Sequence, residues 1–297
     1  MNSPLSLPSH SSQLRSAFSL IEMVGVLAVI SILVASVGPN FIRKIVDNAS
    51  IKEGKSLETL AQGLRQSIRN TQIVPGGVTW SASVATATGL NPAEVLYADP
   101  NNTATSQRIL LIDPRFSPST ATDPVFTPNS AGALAPTNAR AMLISSTKRG
   151  LALPIGGGKL PNNAANRTSF DNVWNWTMNP FTKLPPTGWP ATWQGQAEHL
   201  HIQRVNLADE FYRVTVSNYN FPTNIPFGKF NFATTYAFDV TNAVDSYYLR
   251  GTTIRLYRHD TPYLSIPVNP DELCITHSLK GDMNFIYDGS PPRWRIP

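Results

Sequence analysis

The sequence predicts an α+β fold: a long N-terminal helix, apolar in its first half and amphipathic in its second, packed on an antiparallel β-sheet head with large loop insertions. Three observations carry this. An apolar run fills Phe18–Gly38, a stripe of helical period follows as far as Ile68, and β-branched and aromatic runs recur from residue 198 onward. Of 297 residues, 41% are hydrophobic, enough to bury a core, and 14% are charged, below the ~25% of an average soluble domain. Prolines (25) outnumber glycines (18), which favours loop-rich architecture over a helical bundle. The single cysteine, Cys274, excludes an intrachain disulfide and a four-thiolate zinc site.

Phe18–Gly38 carries one charge, Glu22. As a helix the run spans about 31 Å, close to the ~30 Å hydrocarbon thickness of a bilayer, so a transmembrane helix is predicted over 18–39. Residues 1–17 form a polar leader with Arg15 near its end. A secretory signal would have a shorter apolar core with the small cleavage-site residue after it. Here the small residue, Ala17, precedes the run, so a cut there keeps the apolar segment and removes only the leader.

A carboxylate deep in hydrocarbon costs at least ~2.5–3.5 kcal/mol. Glu22 escapes that cost if it sits at the membrane edge and reaches water. It also escapes if the chain begins at Phe18, because the new α-amine supplies a cation one turn away or on a neighbouring chain. Glu22 then lies in the first turn, where the helix dipole favours an anion.

Ala17-Phe18-Ser19-Leu20-Ile21-Glu22 resembles the class III processing signal of type IV pilins and type II secretion pseudopilins, with alanine where those proteins usually carry glycine. Pro39 falls where many pilins carry a helix-distorting proline. The resemblance covers residues 13–72 and implies a pilin-like fold. It also implies cleavage by a prepilin peptidase between Ala17 and Phe18, N-methylation of Phe18, and assembly through Phe18 and Glu22. The implied partners are homologous subunits, an assembly platform protein with its ATPase, and membrane lipid. The implied location is the bacterial inner membrane, single-pass, with the head in the periplasm and later on a filament. One feature opposes this orientation. Arg43, Lys44, Lys52 and Lys55 follow the span while the leader offers only Arg15, the reverse of the positive-inside pattern.

Beyond Gly38-Pro39, where a kink is expected, residues 40–74 continue the helix. Leu57, Leu60, Leu64 and Ile68 form one apolar face that must be covered, widened by Ala61. Pro75-Gly76-Gly77 ends the pattern, giving a helix over 18–72.

The head, residues 75–297, has strands predicted at 107–113, 140–146, 198–205, 211–217, 231–241, 247–250, 252–258 and 284–288, with a hairpin turn at Arg250-Gly251. One face of the sheet is expected against the helix and the other in water. Residues 170–193 hold four of the six tryptophans, Trp174, Trp176, Trp189 and Trp193. They form either a carbohydrate or protein contact surface or a loop ordered against the core, and the second reading is preferred.

Chemistry is sparse. Gly156-Gly157-Gly158-Lys159 lacks the spacing of a phosphate loop and reads as a flexible loop. His199, His201 and Glu198 supply no third fixed zinc ligand, and Cys274 with His277 fits no thiol-protease pattern. Asp209, Glu210, Asp239, Asp245 and Asp288 form no calcium loop, so no metal or cofactor is expected, calcium in the head being an unsupported option. No hydrolase elbow, zinc-protease helix or dinucleotide fingerprint occurs, so the chain reads as a non-enzyme. Residues 75–297 carry 17 basic and 15 acidic side chains. That balance supplies no phosphate-binding patch, and nucleic acid is not expected. The favoured function is a pseudopilin-like structural subunit. The alternatives are a type IV pilus subunit for adhesion or DNA uptake, and a binding domain on an uncleaved anchor.

Overall fold

The computed structural model describes residues 19–97, 108–119, 122–130, 134–148, 150–219, 244–257, 273–289 and 292–296. The chain divides into two compact units, residues 1–49 and 50–297. Helix α1, Leu20–Thr71, is 52 residues long and unbroken in backbone through Gly38 and Pro39, whose side chains lie outside the described set. Its C-terminal stop comes earlier than Pro75: Gln72 adopts a left-handed conformation at φ 60°, and its amide donates to the Ile68 carbonyl.

The head is mixed α and β with small, mainly antiparallel sheets. Among the described residues three short α-helices follow α1: α2 (Trp80–Thr88), α3 (Pro92–Leu96) and α4 (Ala164–Trp174). The first sheet has the order β3-β1-β2-β4, from Gly158–Lys159, Arg108–Ile112, Arg140–Ser146 and Leu200–Asn206. Its pairs are antiparallel except β1 with β3. The second sheet has the order β10-β9-β5-β6 and joins β5 (Phe211–Tyr219) to β6 (Val244–Leu249), β9 (Met283–Gly289) and β10 (Pro292–Arg295). There β5 and β9 run parallel. Strands β7 (Thr253–Tyr257) and β8 (Leu273–Ser278) form a separate antiparallel pair. The predicted strand at 231–241 lies outside the described residues.

The first sheet departs from the one-face-wet expectation, because both its faces are covered. Leu110 and Ile112 of β1, Ala141 and Leu143 of β2 and Val205 of β4 pack with Leu57, Leu60, Leu64 and Ile68 of α1. On the other face, Leu111, Met142, Ile144 and Leu200 pack with Phe170 and Val173 of α4 and with Trp189 and Trp193. A strand buried on both sides must be apolar at consecutive positions, which is why 109–112 and 141–144 read as runs without alternation. Trp193 is fully buried, meets Trp189 edge-on at 4.9 Å between ring centroids, and donates its indole N–H to the Ala152 carbonyl. These two tryptophans therefore act as core residues.

Two other expectations are corrected. Arg250-Gly251 is a turn, with Gly251 at φ 89°, but it passes the chain from the second sheet to the β7-β8 pair and closes no hairpin. Gly158-Lys159 is an edge strand and not a flexible loop. Gly158 sits at φ 90°, and a Cβ on Gly77 would lie 2.7 Å from the Gly158 nitrogen. The run is glycine because two backbones touch there.

Candidate functional site

The first group of expected site residues surrounds the start of α1. Ala17 and Phe18 lie outside the described residues. Glu22 occupies the third position of the helix, and its carboxylate accepts from the Ser19 amide at 2.9 Å and the Ser19 hydroxyl at 3.0 Å. The Glu22 amide in turn lies 3.3 Å from the Ser19 oxygen. This reciprocal pair is a capping box, and the Ser19-x-x-Glu22 spacing in the sequence already carried its signal. Glu22 thus satisfies helix-start donors on its own chain.

From Leu20 to Ala35 every residue of α1 is exposed, and apolar side chains point in all directions; Ile21 is 79%, Ile32 68% and Val34 64% exposed. Water does not tolerate so much contiguous apolar surface on a helix, so this segment requires a cover of lipid or protein. Among the described residues no helix is long and apolar enough to cross a membrane. Side chains of the predicted span 18–39 are described only as far as Ala35.

The second group is the far half of α1, where Leu57, Leu60, Leu64 and Ile68 are each at most 1% exposed. Polar clamps that the sequence did not reveal flank this apolar face. Arg69 places Nε and Nη2 on the two oxygens of Glu210, at 2.7 and 2.8 Å, and Glu210 is buried just before β5. Gln72 donates to the Arg250 carbonyl and accepts from the Thr252 hydroxyl, which fastens the helix end to the turn between β6 and β7.

Toward the other end of this face, Glu53 and Arg108 are 6% and 5% exposed and joined twice at 2.7 Å. Arg108 also donates to the Ser56 hydroxyl and to the carbonyls of Glu94 and Val95, so one guanidinium ties α1, β1 and the end of α3 together. Burial pushes the Glu53 carboxyl up, but hydrogen bonding from Arg108 and Ser145 and the charges of Arg108 and His201 together outweigh it and hold the group below the usual carboxylate range. Strand register sets Arg108, Ser145 and His201 side by side across β1, β2 and β4. His201 Nε2 is buried without a hydrogen-bond partner.

A third cluster serves the opposite face of the sheet. Fully buried Asp113 accepts from Arg115 and Arg140, and both arginines reach Asp171 of α4. Arg140 also lies over the rings of Phe170 and Trp174 at 5.3 and 5.0 Å. All these clusters link elements of the head.

His199 ends a short helical turn, its Nδ1 3.3 Å from the Thr147 hydroxyl, and His201 follows on β4. Among the described residues no group of three or more histidine, cysteine or acidic side chains is placed to hold a metal ion. Comparison with protein-family models, with curated proteins and with solved structures finds no match for this chain.

Proposed function

We propose that the chain is a pilin-like structural subunit, of the type II secretion pseudopilus or a related type IV filament, trimmed to Phe18 and built into its assembly by helix packing. The observation that carries this reading is the order of residues at the N-terminus: a polar leader, Ala17, then Phe18 and Glu22 opening an apolar helix. Two features support it. The Leu20–Ala35 segment is apolar on all sides and calls for a cover, and the same helix continues into a half that is buried on the head. In this account a prepilin peptidase removes residues 1–17 at the inner membrane. A platform protein and ATPase then extract the helix from lipid, and like subunits cover the apolar segment. Glu22 meets the freed amine of a neighbouring Phe18, and the head is the part that faces the periplasm.

Glu22→Ala tests the pin. Membrane insertion is expected to be retained and recovery in sheared filaments reduced several-fold, whereas unchanged recovery contradicts the role. The capping box favours one second reading, in which Glu22 only starts the helix of an uncleaved anchor that tethers a binding domain. In that case Glu22→Gln, which keeps a capping acceptor, behaves as the wild type in membrane insertion, and neither chain is recovered in sheared filaments; in the filament reading the wild type is recovered and Glu22→Gln, which lacks the charge, is reduced as Glu22→Ala is.

A further inference from the structure

The row Arg108–Ser145–His201 beneath Glu53 is an unusual place for a histidine. The strands on this face otherwise contribute Leu110, Ile112, Ala141, Leu143 and Val205 to the core against α1. At the Glu53 end the face turns polar, and among the described residues the carboxylate that faces His201, Glu53, is already shared with Arg108. Both Glu53 oxygens accept from Arg108. The titratable and charged groups facing the ring are Glu53 from α1, Arg108 across the row on β1, and His199 just before β4; β2 contributes the neutral Ser145. A proton added to the ring must therefore compete with Arg108 for Glu53, while Nε2 is buried and without a partner.

We propose that His201 makes the Glu53 end of the α1–sheet joint an acid-sensitive latch: a protonated ring adds a second cation to a buried row in which Arg108 already neutralises Glu53, and the helix end at residues 50–60 loosens from the sheet. The far end is fastened by other groups, Arg69 on Glu210 and Gln72 on Arg250, and carries no histidine. Burial acts in the same direction. It disfavours the imidazolium more strongly than Glu53 favours it, so the His201 ring titrates below its ordinary value. The sign follows. The folded chain binds the proton less readily than the unfolded chain, so stability is complete above about pH 6.5 and is lost as pH falls toward the folded value.

The test uses the full chain in detergent micelles and follows urea unfolding and amide exchange at about pH 7 and about pH 5. The wild-type midpoint is expected to fall on acidification, with exchange protection lost at 50–60 and kept at 64–71. His201→Gln, neutral at both values, should remove most of that fall, and His199→Gln should keep most of it. An unchanged fall in His201→Gln, or a fall abolished by His199→Gln instead, overturns the proposal. Ring titration by NMR in the wild type gives a check that needs no variant. A His201 value below about 6.5 supports the latch, and a value at or above it overturns the latch.

Discussion

Arg108→Met isolates the energetic role of the buried pair. The methionine stem replaces the aliphatic part of the arginine but removes the guanidinium. Glu53, 6% exposed, then loses both of its 2.7 Å charge-assisted bonds and stays in the interior as an unpaired charge. The carbonyls of Glu94 and Val95 lose a donor at the same time. Breaking a buried pair from one side costs about 3–5 kcal/mol. That is a large share of the ~5–15 kcal/mol that holds a typical domain folded. Replacing both partners, as in Glu53→Leu with Arg108→Met, removes the stranded charge, and more than half of the loss should return. The remainder reflects the α3 carbonyls, still without their donor. Urea unfolding followed by the fluorescence of buried Trp80, Trp189 and Trp193 reads all four corners of the cycle. A loss under about 1 kcal/mol in Arg108→Met is the range of a solvent-exposed pair, and it would refute the reasoning. So would a double variant no more stable than the single one.

Gly77→Ala places a methyl 2.7 Å from the Gly158 backbone nitrogen, where no flexible side chain can yield, so a loss of about 1–3 kcal/mol is expected by the same unfolding assay. Gly54→Ala, with nothing within 4 Å of the added carbon, serves as the harmless control. Asp113 predicts an acid dependence. Burial raises its carboxyl, the hydrogen bonds from Arg115 and Arg140 outweigh that, and the group is held below the usual carboxylate range. Its contribution is present above about pH 4 and is lost as pH falls through the folded value, so the stability gap between wild type and Asp113→Asn should narrow in that window.

The legible parts of this molecule were those set by local pattern. The face Leu57–Leu60–Leu64–Ile68 follows helical period and is buried as one stripe, and the runs 108–112 and 140–146 are strands within a residue or two of their expected bounds. Three helices were missed, α2, α3 and α4, two of them although their signals were local. Asn91-Pro92-Ala93-Glu94 is a capping box with proline in the first turn, and Asn163 caps α4 ahead of an apolar pair, Phe170 and Val173. What could not be read depends on distant partners. The parallel pairing of β5 with β9 joins segments about seventy residues apart. The second cover on the first sheet comes from the tryptophan segment, whose composition suits a surface as well as a core. Glu53 and Arg108 are 55 positions apart, and each alone reads as an ordinary surface charge.

The account turns on whether the chain is cut before its apolar helix. Sequencing the mature N-terminus of protein taken from native membranes, with mass measurement of the first residue, tests this most directly. A chain that starts at Phe18, methylated on its amine, is the predicted result, and a chain that still carries Met1–Ala17 contradicts the proposed processing and the assembly built on it.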